Sequence, residues 1–199
     1  SVTLDGSAAR LSGAPILMRY GTIVPAGATL TVAPGTDLRT APGGAFEVRD
    51  GGTLIANGTA QAPIAIRANT ATPAAGDWYY ILAQAGSRLR LTHCDLGYGG
   101  RYSNPALILR GSDAEVRNCT LHDFPGTGIN LEGTGIAPVI ANTTVSTGTG
   151  WAIYQNTINM APQFSYVTLT GGGVSALVVD GGTVEGSVTL AGNAAKFTG

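Results

Sequence analysis

The sequence predicts an all-β fold, a right-handed parallel β-helix (a solenoid) of about eight coils with no substantial helix. Three observations predict it: apolar triplets with a two-residue period, glycine-rich turns between them, and an internal repeat of about two dozen residues.

The triplets are Leu30-Thr31-Val32, Phe46-Glu47-Val48, Ile64-Ala65-Ile66, Leu89-Arg90-Leu91, Leu107-Ile108-Leu109, Ile129-Asn130-Leu131 and Leu177-Val178-Val179. Each places two apolar side chains on one face of an extended strand and one residue on the other. No segment carries the i, i+3, i+4, i+7 apolar pattern of a helix. Pro34-Gly35, Gly43-Gly44, Gly51-Gly52, Asn57-Gly58 and Gly99-Gly100 separate the strands, as tight turns require.

The repeat selects a solenoid over a sandwich or barrel. Leu91-Thr-His-Cys-Asp-Leu96 aligns with Val116-Arg-Asn-Cys-Thr-Leu121, Ile140-Ala-Asn-Thr-Thr-Val145 and Phe164-Ser-Tyr-Val-Thr-Leu169. A second strand follows each block, beginning at Leu107, Ile129, Ile153 and Leu177. Charges supply an independent check, because stacked parallel coils place equivalent residues ~4.8 Å apart. At the coil period Arg88 falls on Asp113, Arg90 on Glu115 and Arg110 on Glu132.

Composition agrees. Residues 1–199 are one domain's worth of chain, with 44% hydrophobic residues for a core. Only 12% are charged, against ~25% in ordinary globular proteins. The net charge of −1 and the absence of any basic run argue against a nucleic-acid partner. No apolar run approaches the ~20 residues of a membrane helix, and no cofactor motif is present.

The N-terminal third, Ile23-Val-Pro-Ala-Gly-Ala-Thr-Leu-Thr-Val-Ala-Pro-Gly-Thr36, then Phe46-Glu-Val, Gly52-Thr-Leu-Ile-Ala-Asn-Gly-Thr59, Pro63-Ile-Ala-Ile66 and Asp77-Trp78, resembles the opening coils of bacterial cell-surface β-helix proteins. The later coils resemble the broad pectin-lyase-like superfamily. The resemblance spans about Ile23 to Leu169 and implies a fold shared by adhesins, polysaccharide-degrading enzymes and modules of other roles. Where such proteins have Trp-Gly-Gly-Ile, this chain has Trp78-Tyr79-Tyr80-Ile81. The Asn-Thr-Asp, Asp-Asp and Gly-His-Gly clusters of polygalacturonases are absent.

Candidate sites follow from columns of the repeat. Cys94 and Cys119 share one and are expected to be a reduced, buried stack; with only His93 beside them, no metal site is expected. Asn118 and Asn142 share another and are expected to form a stacked amide ladder. Thr120, Thr144 and Thr168 form a third.

Catalytic candidates are Asp95, His122 and Asp123, an imidazole beside carboxylates being able to act as general base. Against this, adjacent residues on an extended strand point to opposite faces, which favours a solvated turn. Ligand-binding candidates are Trp78, Tyr80, Tyr98, Arg101, Tyr102, Trp151 and Tyr154, because aromatic rings with few charges around them suit sugar rings. Their alternative role is core filling.

The expected function is a non-catalytic, adhesive, scaffolding or carbohydrate-binding module of a secreted or cell-surface bacterial protein, with a polysaccharide as partner. The alternatives are a polysaccharide lyase or glycoside hydrolase, and a self-assembling structural solenoid. Neither terminus offers an amphipathic cap, so a piece of a longer extracellular protein, self-associating through its end coils, is expected.

Overall fold

Short strands with both faces committed can bury their apolar residues only by winding, and the chain does so. In the computed structural model, three parallel sheets enclose one core in a solenoid of about seven turns, against the eight expected; 2% of the chain is helical. The structure describes residues 2–3, 8–13, 15–134, 136–171, 177–181 and 195–197. The final-coil segment around Val188 and Leu190, and the entry around Leu4 and Asp5, lie outside the described residues.

Sheet A stacks Val2–Thr3, Thr22–Val24, Phe46–Val48, Ile81–Ala83, Leu107–Arg110, Ile129–Glu132, Ile153–Gln155, Leu177–Val179 and Ala195–Phe197 in that order. Sheet B stacks Ala8–Leu11, Thr29–Val32, Thr53–Asn57, Arg88–Thr92, Asp113–Arg117, Val139–Ala141 and Gln163–Ser165. Sheet C stacks Ile16–Met18, Asp37–Thr40, Ile64–Ala68, Cys94–Gly97, Thr120–Phe124, Thr144–Thr147 and Thr168–Gly171. Each triplet turns its first and third residues inward, so columns such as Leu30–Leu54–Leu89–Ala114 run down the core. Each fully buried Leu or Ile contributes about 1.5–3 kcal/mol.

The three charge pairs are in register: Arg88 with Asp113, Arg90 with Glu115, Arg110 with Glu132. Arg90 nevertheless makes its closest contacts diagonally, with Nη1 donating to the Asp113 carbonyl at 2.7 Å and Nη2 to both of its carboxylate oxygens at 2.8 Å, while its Nε stands 3.5 Å from Glu115. Glu115 accepts instead from Arg117, two residues along, at 2.9 Å.

The corner between sheets B and C corrects one expectation. Asn118 and Asn142 form no amide ladder; both are exposed and left-handed, at φ 53° and 49°, in one column with His93 and Tyr166. Asparagine tolerates this conformation better than most residues. Here the backbone makes the ladder, with His93, Asn118 and Asn142 N–H groups donating to the next coil at 2.8–3.1 Å.

One position on, Cys94 and Cys119 are free and buried, as expected. The Cys94 N–H donates to the Cys119 sulfur at 3.4 Å, and Thr143 accepts from the Cys119 N–H in the same way one coil later. The neighbouring Cys119 sulfur and burial hold the Cys94 thiol well above its ordinary pKa. Among the described residues no helix is long and apolar enough to cross a membrane.

Candidate functional site

Two outward-facing arrangements emerge, one at the end of sheet C and one on sheet A. The first brings together all three catalytic candidates. In sheet C, Leu121 pairs with Val145 but Phe124 pairs with Thr147, so three residue steps on one strand match two on the next. The extra residue is a β-bulge, with Asp123 at φ 56°. Leu121 and Phe124 both point into the core, and His122 and Asp123 both point out. The expectation that His122 and Asp123 would face apart is therefore corrected, because the bulge removes the alternation.

His122 lies between two carboxylates. Its Nε2 donates to Asp95 Oδ1 at 2.9 Å and its Nδ1 donates to Asp123 Oδ2 at 2.7 Å. Carboxylates only accept, so satisfying both contacts requires a proton on each ring nitrogen. The Asp95 hydrogen bond raises the imidazole most; partial burial opposes it, Asp123 adds to it, and the result is about 9. At neutral pH the ring is an imidazolium. In that form it donates a proton rather than accepts one, which weighs against the general-base role expected of it.

Gly97 makes room for the ring. A Cβ at Gly97 would come within 2.6 Å of His122 Cε1. Tyr98 packs edge-on against the ring, centroids 5.4 Å apart. In the preceding coils of the same sheet, Arg39 and Arg67 are both held by Asp37; Arg67 is bidentate at 2.8 and 2.9 Å, and it holds the Asp37 carboxyl below its usual range.

The aromatic candidates separate into distinct places. Trp78 is fully buried and its Nε1 donates to Gly97 O at 2.8 Å, so it is a core residue with no face open to a ligand. Tyr102 is exposed on the loop Arg101–Ser103, edge-on to Tyr79 and with the Arg101 guanidinium 5.0 Å above its ring. Tyr80 packs on Tyr79 at the entrance to sheet A.

Trp151 and Tyr154 form the second arrangement. Their rings stack at 4.9 Å and 22°, with Trp151 39% exposed. Tyr154 occupies the outward column of sheet A, which reads Glu47, Leu82, Ile108, Asn130, Tyr154, Val178. Leu82, Ile108 and Asn130 are each at least nine-tenths buried although they point outward. Asn130 Nδ2 donates to Glu132 Oε1 at 2.7 Å, Glu132 is paired with Arg110, and the Tyr154 hydroxyl donates to Asp180.

The residues that sequence reasoning missed are Gly97, Asn130 and Glu132. Asn130 had a signal: it is the polar member of a column that reads leucine and isoleucine in the two preceding coils. Gly97 had none, since its role is set by a ring one coil away.

A depression of about 340 Å³ lies at the corner between sheets A and B, lined by Gly86, Ser87, Gly111, Ser112, Asp113, Ile136 and Ala137. Its one titratable group, Asp113, is held by Arg90 and Arg88, while the buried Ser112 Oγ in its lining has no hydrogen-bond partner. No group of three or more His, Cys, Asp or Glu among the described residues is arranged to hold a metal ion.

No family model, curated protein or solved structure matches this chain.

Proposed function

We propose that the chain is a non-catalytic, carbohydrate-binding module of a secreted or cell-surface bacterial protein, kin in its repeats to the pectin-lyase-like solenoids. The observation that carries the reading is the exposed Trp151–Tyr154 stack, set beside an outward column in which Asn130 is bonded to Glu132. A pyranose ring presents an apolar C–H face and a rim of hydroxyls, and both halves of that chemistry have partners here. A glycan array tests it: retention of a polysaccharide by the native protein, lost in Trp151→Ala, is expected. Retention unchanged by that substitution counts against it.

The second reading is a polysaccharide lyase or glycoside hydrolase, favoured by the convergence of Asp95, His122 and Asp123. A glycosidase needs two carboxyls on either side of its bond, one of them protonated. Here both carboxyls are hydrogen-bonded to the two nitrogens of one imidazole, so neither stands free to flank a glycosidic bond. Release of reducing ends or unsaturated products from a polysaccharide, abolished by Asp95→Asn, would favour the enzyme over the module.

A further inference from the structure

The loop Arg101–Ser103 holds an aromatic ring out in solvent on a constrained backbone. Gly100, Tyr102 and Ser103 all lie in the left-handed region, at φ 91°, 57° and 62°. Tyrosine and serine reach that region only at a cost, and they stay there where the surroundings fix the chain. Here the Gly100 and Arg101 N–H groups donate to Tyr79 O and Trp78 O at 2.7 and 3.0 Å, and Asn104 Nδ2 donates to Arg101 O at 2.7 Å. The result is Tyr102 at 75% exposure, with the Arg101 guanidinium over its ring and Tyr79 edge-on beside it. Tyr79 stands where the similar repeats have glycine, so the bulk that departs from them is what supports this ring.

The other exposed ring platform, Trp151, lies on the same corner of the solenoid. The two loops lead into strands of sheet A two coils apart, Leu107–Arg110 and Ile153–Gln155, with Ile129–Glu132 between them. Coils stand ~4.8 Å apart, so the loops are separated by about 10 Å along the axis. Glycines line the step between them. A Cβ at Gly126 would come within 3.1 Å of Ser103 O, and one at Gly150 would run into the Gly126 carbonyl. Ser103, Gly126 and Gly150 therefore nest closely, and neither glycine raises a side chain between Tyr102 and Trp151. The neighbouring Thr149 hydroxyl is turned onto the Pro125 carbonyl at 2.9 Å.

We propose that Tyr102 is a second ring-stacking subsite, and that the module binds the interior of a polysaccharide chain laid along this corner from Tyr102 to Trp151, rather than a glycan end. The inference rests on the carbohydrate-binding reading and names the form of its ligand. Two ring faces on one fixed frame engage a chain long enough to reach both, whereas a short fragment reaches only one. Both rings are open to solvent, so the chain continues past each.

Isothermal titration with the di- and hexasaccharides of a β-1,4-glucan, a β-1,4-mannan and an oligogalacturonate tests it. At least one hexasaccharide is expected to bind at least about tenfold more tightly than its disaccharide. Tyr102→Asn removes the ring but keeps a residue that tolerates the left-handed backbone. It should weaken that hexasaccharide about tenfold and leave the disaccharide, held on the Trp151–Tyr154 stack, unchanged. Tyr102→Phe, which keeps the ring, should keep the affinity, and Trp151→Ala should weaken the hexasaccharide at least as much as Tyr102→Asn. A hexasaccharide that binds no more tightly than its disaccharide, or one that depends on Trp151 and ignores Tyr102→Asn, overturns the second subsite and leaves the carbohydrate reading standing. Tyr102→Phe as damaging as Tyr102→Asn overturns the stacking role of the ring. Binding of none of the six overturns both the subsite and the carbohydrate reading.

Discussion

The cluster at the end of sheet C and the strip on sheet A use the same kinds of residue and end in opposite states. In the cluster, every hydrogen-bonding atom of His122 is satisfied by Asp95 and Asp123, and Tyr98 and Gly97 close in on the ring. In the strip, Asn130 keeps an acceptor with no partner and Trp151 keeps an open ring face. A satisfied network rigidifies what surrounds it, while an unsatisfied one leaves a buried polar group uncompensated. Residue types alone therefore mislead: the imidazole between carboxylates looks reactive yet is closed on itself, and the asparagine among aliphatics looks inert yet keeps an unpaired acceptor.

Breaking the closed region gives the largest effect. Gly97→Val drives a branched side chain into the His122 ring, and overpacking of this kind costs about 1–3 kcal/mol. Urea unfolding should record that loss, and the His122 pKa, followed by NMR, should fall from about 9 toward its ordinary value. Glycan binding should be unchanged. A stable variant with an unshifted His122 would mean the ring does not rest on Gly97.

The pH dependence sharpens the same contrast. His122 has a folded pKa of about 9 against an ordinary 6.5, so the folded state holds its proton more tightly than the unfolded one. Its contribution is fully present below about 6.5 and is lost as pH rises through 9. Stability should decline across that window, and His122→Gln should flatten the slope. If the His122→Gln variant and the native protein decline in parallel, the imidazolium is not bridging the carboxylates.

Smaller effects are expected where groups have alternatives. Asn130→Leu removes an orphan acceptor, a change that is nearly neutral or stabilising by about 1 kcal/mol. Glu115→Gln should cost no more than about 1 kcal/mol, as for other exposed ion pairs, because Arg90 keeps its contacts with Asp113. A larger loss would show the ladder on sheet B to be more than a surface network.

The solenoid was legible because its columns repeat: Leu91, Val116, Ile140 and Phe164 align in sequence as they do in space. The ion pairs on sheet B were legible for the same reason. The cluster on sheet C was not, because it depends on a register shift, and strict alternation would turn Asp123 inward. The apolar spacing of Leu121 and Phe124, three apart within one strand, is the trace the bulge leaves in sequence. The asparagine column was misread for a related reason, since a left-handed turn sends Asn118 outward where a stacked strand residue would have paired. Trp78 could not be told from an exposed tryptophan, because burial depends on the loops that close over it.

The most direct test is a two-dimensional NMR titration of the native protein with the tightest-binding oligosaccharide from the glycan array. The account predicts that the Trp151 indole N–H and the Tyr102 amide shift with ligand, while His122 and the Gly97 amide stay in place. Shifts confined to His122, Gly97 and Tyr98, with Trp151 and Tyr102 unmoved, would contradict it and place binding at the end of sheet C.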